Sequence, residues 1–485
     1  MWIEDELKKD AEHIQHSIHE LSRGYTSKNV RRTHIRENKE NTTRFFMNFY
    51  EYIRRAEYEI YKQFSVLNKE PQYSADLTYD LSEVRNSSND LPHPRLLSEL
   101  RHEYERRSTA HRRDDADDDD EMSKHRYIPY KIYCYIREKS EYCIRFQHTI
   151  RGRLFTLYFI TFPESHISVC KTGAAPTAAA AIHGPCASEI AVYQLYAYKV
   201  FIWLSIVSNM SDVECSEKLD IYFYMTPFKK ERPSSSSTAS ARKHAILSAI
   251  HVNTGLTRNC ERHGEIVVYR AEEWFKVFVH ESIHNFNIDF IDFDLRGANM
   301  RLRESFCIPH DDILLFEAYT ESWARIINIM MLTYFSESEY DRVNFIRVVR
   351  EKLTQNAFFH VYQMVKALDV MELKYAQITV LTPENMAVCR KRYAEDTNVY
   401  AYYIFGGILS AFALPFICWC CDHNTSSVIR FKQTDKNLRD FTDLICDASR
   451  DSTLVDIVRY IEEASSSSSS SSSSVLKKTM RMTLE

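Results

Sequence analysis

Glycine is scarce in this sequence, with 9 residues among 485, and proline contributes only 12. Because glycine adopts the left-handed backbone of tight turns more readily than any other residue, its scarcity predicts few such turns. Tyrosine and phenylalanine are abundant by contrast, at 30 and 27 residues, and hydrophobic residues make up 44% of the chain. A chain of this length and composition can bury a substantial core and form two or three domains.

An excess of positive charge is also absent. The chain has 62 Lys and Arg residues against 67 Asp and Glu residues, a formal net charge of -5, and no domain-sized block is strongly basic. Proteins that bind nucleic acid concentrate basic residues on the surface that meets the phosphates. We therefore expect no nucleic acid among the partners of this protein.

The twelve cysteines lack the paired spacing of a disulfide framework. The first ten residues are charged where a secretory signal needs an apolar core. Both observations predict an intracellular protein with reduced thiols. Cys418, Cys420, Cys421 and His423 lie close together but lack the second ligand pair of a zinc knuckle, so we predict no structural metal there.

One long uncharged run, from Val399 to Cys421, falls within the length of about 17 to 25 residues that spans a bilayer. Gly406, Gly407 and Pro415 interrupt it, and its borders show no strong Lys/Arg asymmetry. We favour a buried core helix, and membrane insertion through this run is the alternative.

The N-terminal part of the chain predicts helices. Residues 1–113 are highly charged, and apolar residues recur there at helical spacing, as in the stretch from Phe45 to Ile53. An acidic run from Asp114 to Glu121 follows and should stay solvated, because its charges repel one another. We interpret 1–113 as a charged helical region and 114–126 as a linker.

After the linker the apolar period changes from helical to alternating. Three segments rich in Tyr, Ile, Phe and Thr predict a meander of antiparallel strands: Pro129 to Arg137, Tyr142 to Ile150 and Leu154 to Phe162. An apolar helix is predicted from about Glu189 to Met210, and two more strands at Leu219 to Met225 and Gly264 to Tyr269. Residues 127–300 thus predict a mixed, mainly antiparallel sheet with a backing helix.

The rest of the chain predicts an α+β protein with a second, helical part. Residues 301–463 form a helical C-terminal subdomain in this interpretation. The stretches Thr172 to Ala181 and Pro233 to Ser240 are low-complexity inserts, and 464–485 is a polyserine tail that we expect to be disordered.

The helix that begins near Ala271 carries an intact His-Glu-x-x-His motif from His280 to His284. Residues four apart lie on the same face of a helix, so both imidazoles can reach one tetrahedral zinc ion. Glu281 would then face the open fourth position as the catalytic base. Glu272 and Glu273 suit the positive end of the helix dipole. The motif helix follows a predicted strand, as in zincin-like metallopeptidases.

A third zinc ligand is expected downstream, where Glu317 and Glu321 lie one helical turn apart among apolar residues. A buried carboxylate must be paired or coordinated. We assign Glu317 to the metal and Glu321 to a hydrogen bond that orients a ligating imidazole. Glu321 itself remains an alternative ligand, and so do Asp289, Asp292 and Asp294, although these aspartates follow the motif closely.

A metzincin would need Gly and His where this chain has Asn287 and Phe290, and that class is excluded. The sequence instead resembles uncharacterised metallopeptidases of nucleocytoplasmic large DNA viruses, most strongly from Val252 to Trp323. Its Glu-x-x-x-Glu helix also looks like that of lethal-factor-type gluzincins. This resemblance implies Glu317 as a zinc ligand, while the interval between His284 and Glu317 is longer than in the thermolysin type.

The function predicted is hydrolysis of peptide bonds, with zinc as the cofactor and a protein or peptide as the substrate. Tyr319, His360, Tyr402 and Tyr403 are candidate donors to the oxyanion. The strand from Glu265 to Tyr269 is expected to be the edge strand that pairs with substrate. The alternative is a virion structural protein that keeps a weakly active or inactive zincin fold and binds other virion proteins.

Overall fold

The structure is a computed structural model, in which the chain divides into two compact units. The sheet unit comprises residues 1–8, 51–228 and 254–287, and the helical unit comprises 9–50, 229–253 and 288–485. The structure describes residues 2–25, 35–65, 78–83, 94–96, 128–163, 185, 187–233, 246–309, 313–336, 341–466 and 474–485. The acidic linker at 114–126, the insert at 172–181 and most of the insert at 233–240 lie outside the described residues.

One mixed six-stranded sheet forms the core of the sheet unit, in the order β1-β2-β3-β4-β6-β5. The strands are β1 (Asp80–Glu83), β2 (Tyr142–Ile150), β3 (Arg153–Thr161), β4 (Lys218–Tyr224), β5 (Gly255–Thr257) and β6 (His263–Val268). Strand β4 pairs in parallel with both β3 and β6, and the other three pairings are antiparallel. The α+β prediction and four of the five predicted strands are confirmed.

The hairpin of β2 and β3 follows directly from its turn. Arg151 and Gly152, the two residues between the strands, both have positive φ, at 52° and 78°. A two-residue turn of this kind matches the right-handed twist of the strands that it joins. The glycine supplies one of the two left-handed positions without steric cost.

The prediction of a strand from Pro129 to Arg137 is wrong, because this segment is helix α3 (Tyr130–Lys139). Its buried residues are Ile132, Tyr133 and Ile136, which is helical spacing. The alternation of polar and aromatic residues that predicted a strand is therefore coincidental. The strand that pairs with β2 on the side away from β3 is instead β1. It belongs to the N-terminal region, for which the sequence predicted helices only.

Strand β6 is not the edge strand that the sequence predicted. It lies between β4 and β5, and the short strand β5 occupies the edge. The sequence around Gly255 has too few alternating apolar residues to mark a strand of three residues. Any pairing of substrate with this edge of the sheet would therefore involve β5.

Two helices pack against the sheet. Helix α4 (Ala187–Ser208) confirms the predicted apolar helix and contacts β2, and the motif helix contacts β5 and β6. Trp203 of α4 is fully buried. Among the described residues, the stretch Glu189–Ser208 is long and apolar enough to cross a bilayer, and 72% of its most apolar window is buried inside the protein.

A disulfide joins Cys215 and Cys260, so the prediction of reduced thiols is wrong for this pair. The parallel register of β4 and β6 brings the preceding loops together, since Ser216 donates its backbone N–H to the carbonyl of Glu261 across 2.8 Å. The two cysteines are 45 residues apart and lack the spacing of a disulfide framework, so the sequence did not predict this pair. Eight other cysteines in the described part of the chain are free.

The N-terminal region contains the predicted helices α1 (Trp2–Gly24) and α2 (Lys39–Ser65). The apolar residues that predicted α2, among them Phe46, Phe49 and Ile53, are buried.

Helices make up the helical unit, as the sequence predicted for 301–463. After residue 228, its first four helices are α5 (Ala249–Val252), α7 (Arg296–Arg303), α8 (Leu315–Ser336) and α9 (Arg342–Val370). They are followed by α10 (Tyr375–Thr379), α11 (Pro383–Arg392), α12 (Gly406–Ala411), α13 (Ala413–His423), α14 (Asp435–Ser449), α15 (Ser452–Ser466) and α16 (Ser474–Lys478). Helices α8, α9 and α12 contact one another.

The uncharged run from Val399 to Cys421 is not one continuous helix. It begins with a π-helical turn (Tyr400–Phe405), continues as α12 and bends by 91° before α13. Most of its residues are buried, including Ile404, Phe405 and Ile417. The structure thus agrees with a buried core segment, and a bent pair of this kind could cross a membrane only as a broken span.

The final segment, Ser474–Glu485, is folded, and the prediction of a disordered tail over 464–485 is wrong for these residues. We call it the tail segment. After α16 it runs irregularly, and Leu476, Met480, Met482 and Leu484 are buried in the helical unit. Residues 467–473 of the serine run lie outside the described residues.

Candidate metal centre

The motif helix, α6 (Trp274–Asn285), is buried over almost its whole length. It carries His280, Glu281 and His284, which are 6%, 8% and 5% exposed. The Nε2 atoms of the two histidines lie 3.1 Å apart. Both imidazoles therefore point to one place, as the spacing of four residues on a helix predicts.

Hydrogen bonds fix the position of α6 within the sheet unit. Trp203 donates from Nε1 to Oγ of Ser282 across 2.7 Å. At the end of the helix, Asn285 accepts from the hydroxyl of Ser216 at its side chain and from the backbone N–H of Cys260 at its carbonyl. Because Asn285 follows His284 directly, these bonds restrain the helix end that carries this ligand.

The predicted contribution of Glu272 and Glu273 to the helix start is wrong in detail. The helix begins at Trp274 with Glu273 as its N-cap residue, so neither acid lies in its first turn, and the side chain of Glu273 does not cap the helix. Glu273 has a φ of +60°, and both side chains are buried. The two acids therefore lie at the N-terminal end of the helix, directly before its first turn.

Gly255 of β5 lies directly against the side chain of Glu281. A Cβ atom on this residue would be 2.8 Å from Oε1 and 2.9 Å from Cγ of Glu281, and 2.7 Å from Cγ1 of Val277. Real Cβ atoms essentially never approach other atoms so closely. The absence of a side chain at Gly255 is therefore what leaves room for Glu281.

Helix α8 carries the downstream carboxylates. Glu317 lies in its first turn and is 9% exposed, and Glu321 is 1% exposed. Glu321 accepts a hydrogen bond from Nε of Arg325 across 3.0 Å, within a buried ion pair. The predicted hydrogen bond from a ligating imidazole to Glu321 stays a prediction.

The guanidinium of Arg325 is held in turn by the π-helical turn and α12. Its Nη1 donates to the carbonyl of Gly406 and to the hydroxyl of Ser410, and its Nη2 donates to the carbonyl of Tyr402. A buried charge is costly unless it is paired and hydrogen-bonded, and Arg325 is both. Tyr402 belongs to the π-helical turn, so this turn takes part in holding Arg325.

Asn398 contacts the predicted ligand Glu317. Its side-chain amide donates to Oε1 of Glu317 across 3.3 Å. The segment around Asn398 is held by Thr397, which donates to the side chain of Asn253, and by Glu395, whose carboxylate accepts from the backbone N–H of Tyr400. Because a carboxylate has two oxygens, one can bind a metal while the other accepts this hydrogen bond.

Ligand atoms of His280, His284 and Glu317 all lie within 4.8 Å of one another, so this group could bind a metal ion. Bonds of about 2.0 to 2.1 Å to a tetrahedral ion would place the ligand atoms roughly 3.3 Å apart. The 3.1 Å between the two Nε2 atoms is close to that value. Two imidazole nitrogens and one carboxylate oxygen are a donor set typical of catalytic zinc.

The alternative aspartates do not join this group in the described part of the chain. Asp289 is fully buried and accepts a hydrogen bond from the hydroxyl of Thr320, and Asp294 forms an exposed ion pair with Arg296. Cys418 and the neighbouring cysteines likewise form no such group with His423 among the described residues.

Three of the four candidate oxyanion donors are engaged elsewhere in the helical unit. Tyr319 donates its hydroxyl to the carbonyl of Ile429, and Tyr403 donates to the carbonyl of Met480. His360 bonds through Nε2 to the carbonyl of Met482. Tyr402, which is half-buried, remains a candidate.

Two residues that contact the predicted site residues, Asn398 and Gly255, were not predicted from the sequence. Gly255 lies within the stretch that carries the resemblance, but the sequence assigned no role to it. Asn398 is 81 residues from Glu317 and carries no local signal.

No protein-family model, curated protein or solved structure matches this chain. The resemblance to viral metallopeptidases and gluzincins therefore stays a prediction from the quoted residues.

Proposed function

We propose that this protein is a zinc-dependent metallopeptidase with a zincin-like fold and a gluzincin-like ligand set. The observation that carries the proposal is the convergence of His280, His284 and Glu317 within 4.8 Å. Glu281, the proposed base, is adjacent to the first of these ligands in the same helix. Three protein ligands leave a fourth position open, which distinguishes catalytic from structural zinc sites.

The chemistry follows from this arrangement. Zinc, when bound, would lower the pKa of a water molecule to about 7 and polarise the carbonyl of the substrate. Glu281 accepts the proton of the attacking water and delivers it to the leaving amine. Gly255 supports this role by leaving space for the Glu281 carboxylate beside β5.

Strand β5 is the proposed partner of the substrate main chain. It lies at the edge of the sheet, and Gly255 at its first position touches the side chain of Glu281. An extended peptide that adds to an edge strand is held by main-chain hydrogen bonds, which are largely independent of sequence. Tyr402 is the proposed donor to the oxyanion.

The test combines metal analysis with a search for cleavage in a diverse peptide library. Wild type should carry one zinc per chain and cleave peptides. His280→Ala and Glu317→Ala should lose the metal, whereas Glu281→Gln should keep it and lose activity. Asp292→Asn is the matched control and should keep both the zinc and the activity. Asp292, like Glu317, is an acid that follows the motif in the sequence, but it is exposed.

Two outcomes would contradict parts of the proposal. Full zinc occupancy in Glu317→Ala would refute the third ligand. Stoichiometric zinc with no cleavage of any library peptide would refute the peptidase and favour the alternative, a structural protein of a virion that keeps the metal site. In either case the intracellular location stays a prediction.

A further inference from the structure

The tail segment (Ser474–Glu485) is bound by one face of α9. Asn356, His360, Gln363 and Lys366 follow one another at intervals of four, three and three residues, which places them along one stripe of the helix. All four are buried, at 2% to 5% exposed. Polar side chains are costly at these positions without partners, and each of the four forms a hydrogen bond with the tail segment.

These side chains bind mainly to main-chain carbonyl groups. Lys366 donates from Nζ to the carbonyls of Leu476 and Thr479, and Gln363 donates to the carbonyl of Arg481. His360 lies 2.7 Å from the carbonyl of Met482 through its Nε2 atom. Because every peptide carries carbonyl groups, this part of the recognition depends little on sequence.

Other parts of the helical unit complete the site. Tyr403 donates to the carbonyl of Met480, and Gln15 donates to the carbonyl of Leu484. The backbone N–H of Met480 donates to the carbonyl of Lys230 across 2.9 Å.

Side chains of the tail segment add sequence preference. Leu476 and Met480 are fully buried, and Met482 and Leu484 are each 3% exposed. Lys477 and Lys478, by contrast, are exposed. Burial of four large apolar side chains supplies most of the hydrophobic stabilisation that a short peptide can gain. The ligand class is thus an apolar peptide that presents unpaired carbonyls on one side.

We propose that this stripe of α9 is a peptide-binding site, and that two copies of this chain associate by exchanging their tail segments. All contacts described here join the tail segment to residues far away in sequence, at separations of 77 or more. A second copy offers the same contacts. A serine run, Ser465 to Ser474, lies between the apolar residues of α15 and those of the tail segment and contains no apolar side chain.

A reciprocal exchange closes into a symmetric dimer without any new type of contact. The attached tail segment competes with an incoming one, at an effective concentration in the millimolar range. Exchange is therefore expected at high protein concentration, or when the attached segment is weakened.

The test uses two complementary full-length variants. Leu476→Asp/Met480→Asp weakens the tail segment and leaves the α9 stripe intact. His360→Ala/Gln363→Ala weakens the stripe and leaves the tail segment intact. At a protein concentration low enough for wild type to be monomeric, each variant alone should have the mass of a monomer in light scattering. Their mixture should form a heterodimer. Lys477→Ala/Lys478→Ala, combined with the stripe variant, is the control and should still donate its tail.

A labelled peptide of Val475 to Glu485 provides the second measurement. It should bind the tail-weakened variant at least about 100-fold more tightly than wild type, whose site is filled by its own tail segment. Binding should be lost when the stripe substitutions are added to the same chain. No heterodimer together with equal peptide binding to wild type and the tail-weakened variant would overturn the proposal.

Should the tail-weakened variant fail to fold, a protease site inserted into the serine run offers a route that leaves all contact residues unchanged. After cleavage, the tail segment should remain bound through gel filtration and exchange with the labelled peptide. A cleaved protein that never takes up the labelled peptide would refute a separable ligand.

Discussion

Asn398 donates a hydrogen bond to Oε1 of Glu317 across 3.3 Å, although 81 residues separate them in the sequence. Glu317 lies in the first turn of α8, and Asn398 lies just before the π-helical turn at Tyr400. The bond restrains the carboxylate of Glu317, one oxygen of which lies within 4.8 Å of the ligand atoms of His280 and His284. Asn398 is therefore a positioning residue for the proposed third ligand.

Asn398→Ala should weaken zinc binding by about 10-fold to 100-fold, the range found when a hydrogen bond to a metal ligand is removed. Competition with a chelator of known affinity measures this change. Asn344→Ala is the matched control, because it removes an exposed amide in the first turn of α9. An unchanged dissociation constant in a folded Asn398→Ala protein would show that the contact does not position Glu317.

Gly255→Ala should lower kcat by about 100-fold and leave the zinc content unchanged. The new methyl group would lie 2.8 Å from Oε1 of Glu281, and a displacement of about 1 Å of a reacting group can cost that factor. The measurements are kcat on a peptide cleaved by wild type and metal analysis of both proteins. Gly297→Ala serves as the control, since nothing lies within 4 Å of the position that its new methyl group would take. Equal kcat values for wild type and Gly255→Ala would contradict the role assigned to Glu281.

Because the carboxyl group of Glu395 is buried, we expect the stability of the folded protein to depend on pH. Burial raises the pKa of this carboxyl group to about 7. Hydrogen bonds from the Tyr393 hydroxyl and from backbone N–H groups act in the opposite direction, but burial is the larger effect. The folded state therefore favours the protonated form. Its contribution to stability is fully present below about pH 4.5 and is lost as pH rises through about 7.

Urea unfolding between pH 4 and pH 8 tests this prediction. A pKa raised from 4.5 to about 7 corresponds to about 3 kcal/mol of unfolding free energy. Glu395→Gln should lack that decrease, so the difference between variant and wild type should grow across this window. Glu372→Gln, an exposed control, should follow wild type. Parallel curves for Glu395→Gln and wild type would mean that the carboxyl group does not titrate in this range.

Loss of the disulfide between Cys215 and Cys260 should destabilise the sheet unit. Closing a loop of 45 residues in the unfolded chain corresponds to about 4 kcal/mol in the chain-entropy account of disulfides. Cys215→Ala/Cys260→Ala should lower Tm, and a phosphine reductant should lower the Tm of wild type but not of this variant. Cys134→Ala, which removes a half-buried free thiol, is the control. A wild type whose Tm is unaffected after two thiols have been released would contradict the prediction.

The motif shows how much of the site is local information. His280 and His284 converge because a helix repeats every 3.6 residues, and that geometry follows from the sequence alone. The burial of Glu317 was also predictable from its apolar neighbours. Its hydrogen bond from Asn398 was not, because nothing near Asn398 in the sequence marks a contact 81 residues away.

The tail segment shows the opposite case. Its composition, a serine run followed by basic and apolar residues, is typical of disordered sequence. The segment is nevertheless buried, because α9 presents donors at the spacing that matches its carbonyl groups. The sequence predicted a strand in place of helix α3 for a related reason. Its ten residues fit both a helical and an alternating apolar spacing, and only burial in the folded protein decides between the two.

By itself, the sequence determined the helices and strands with strong apolar periodicity and the shared helix face of the two motif imidazoles, because short-range backbone geometry specifies each of them. Only the tertiary structure decided which strand lies at the edge, that Cys215 meets Cys260, that Asn398 reaches Glu317, and that the tail segment is folded. Those contacts join residues 45 to more than 100 positions apart. They form because packing the whole chain brings together groups whose local sequences carry no mutual signal.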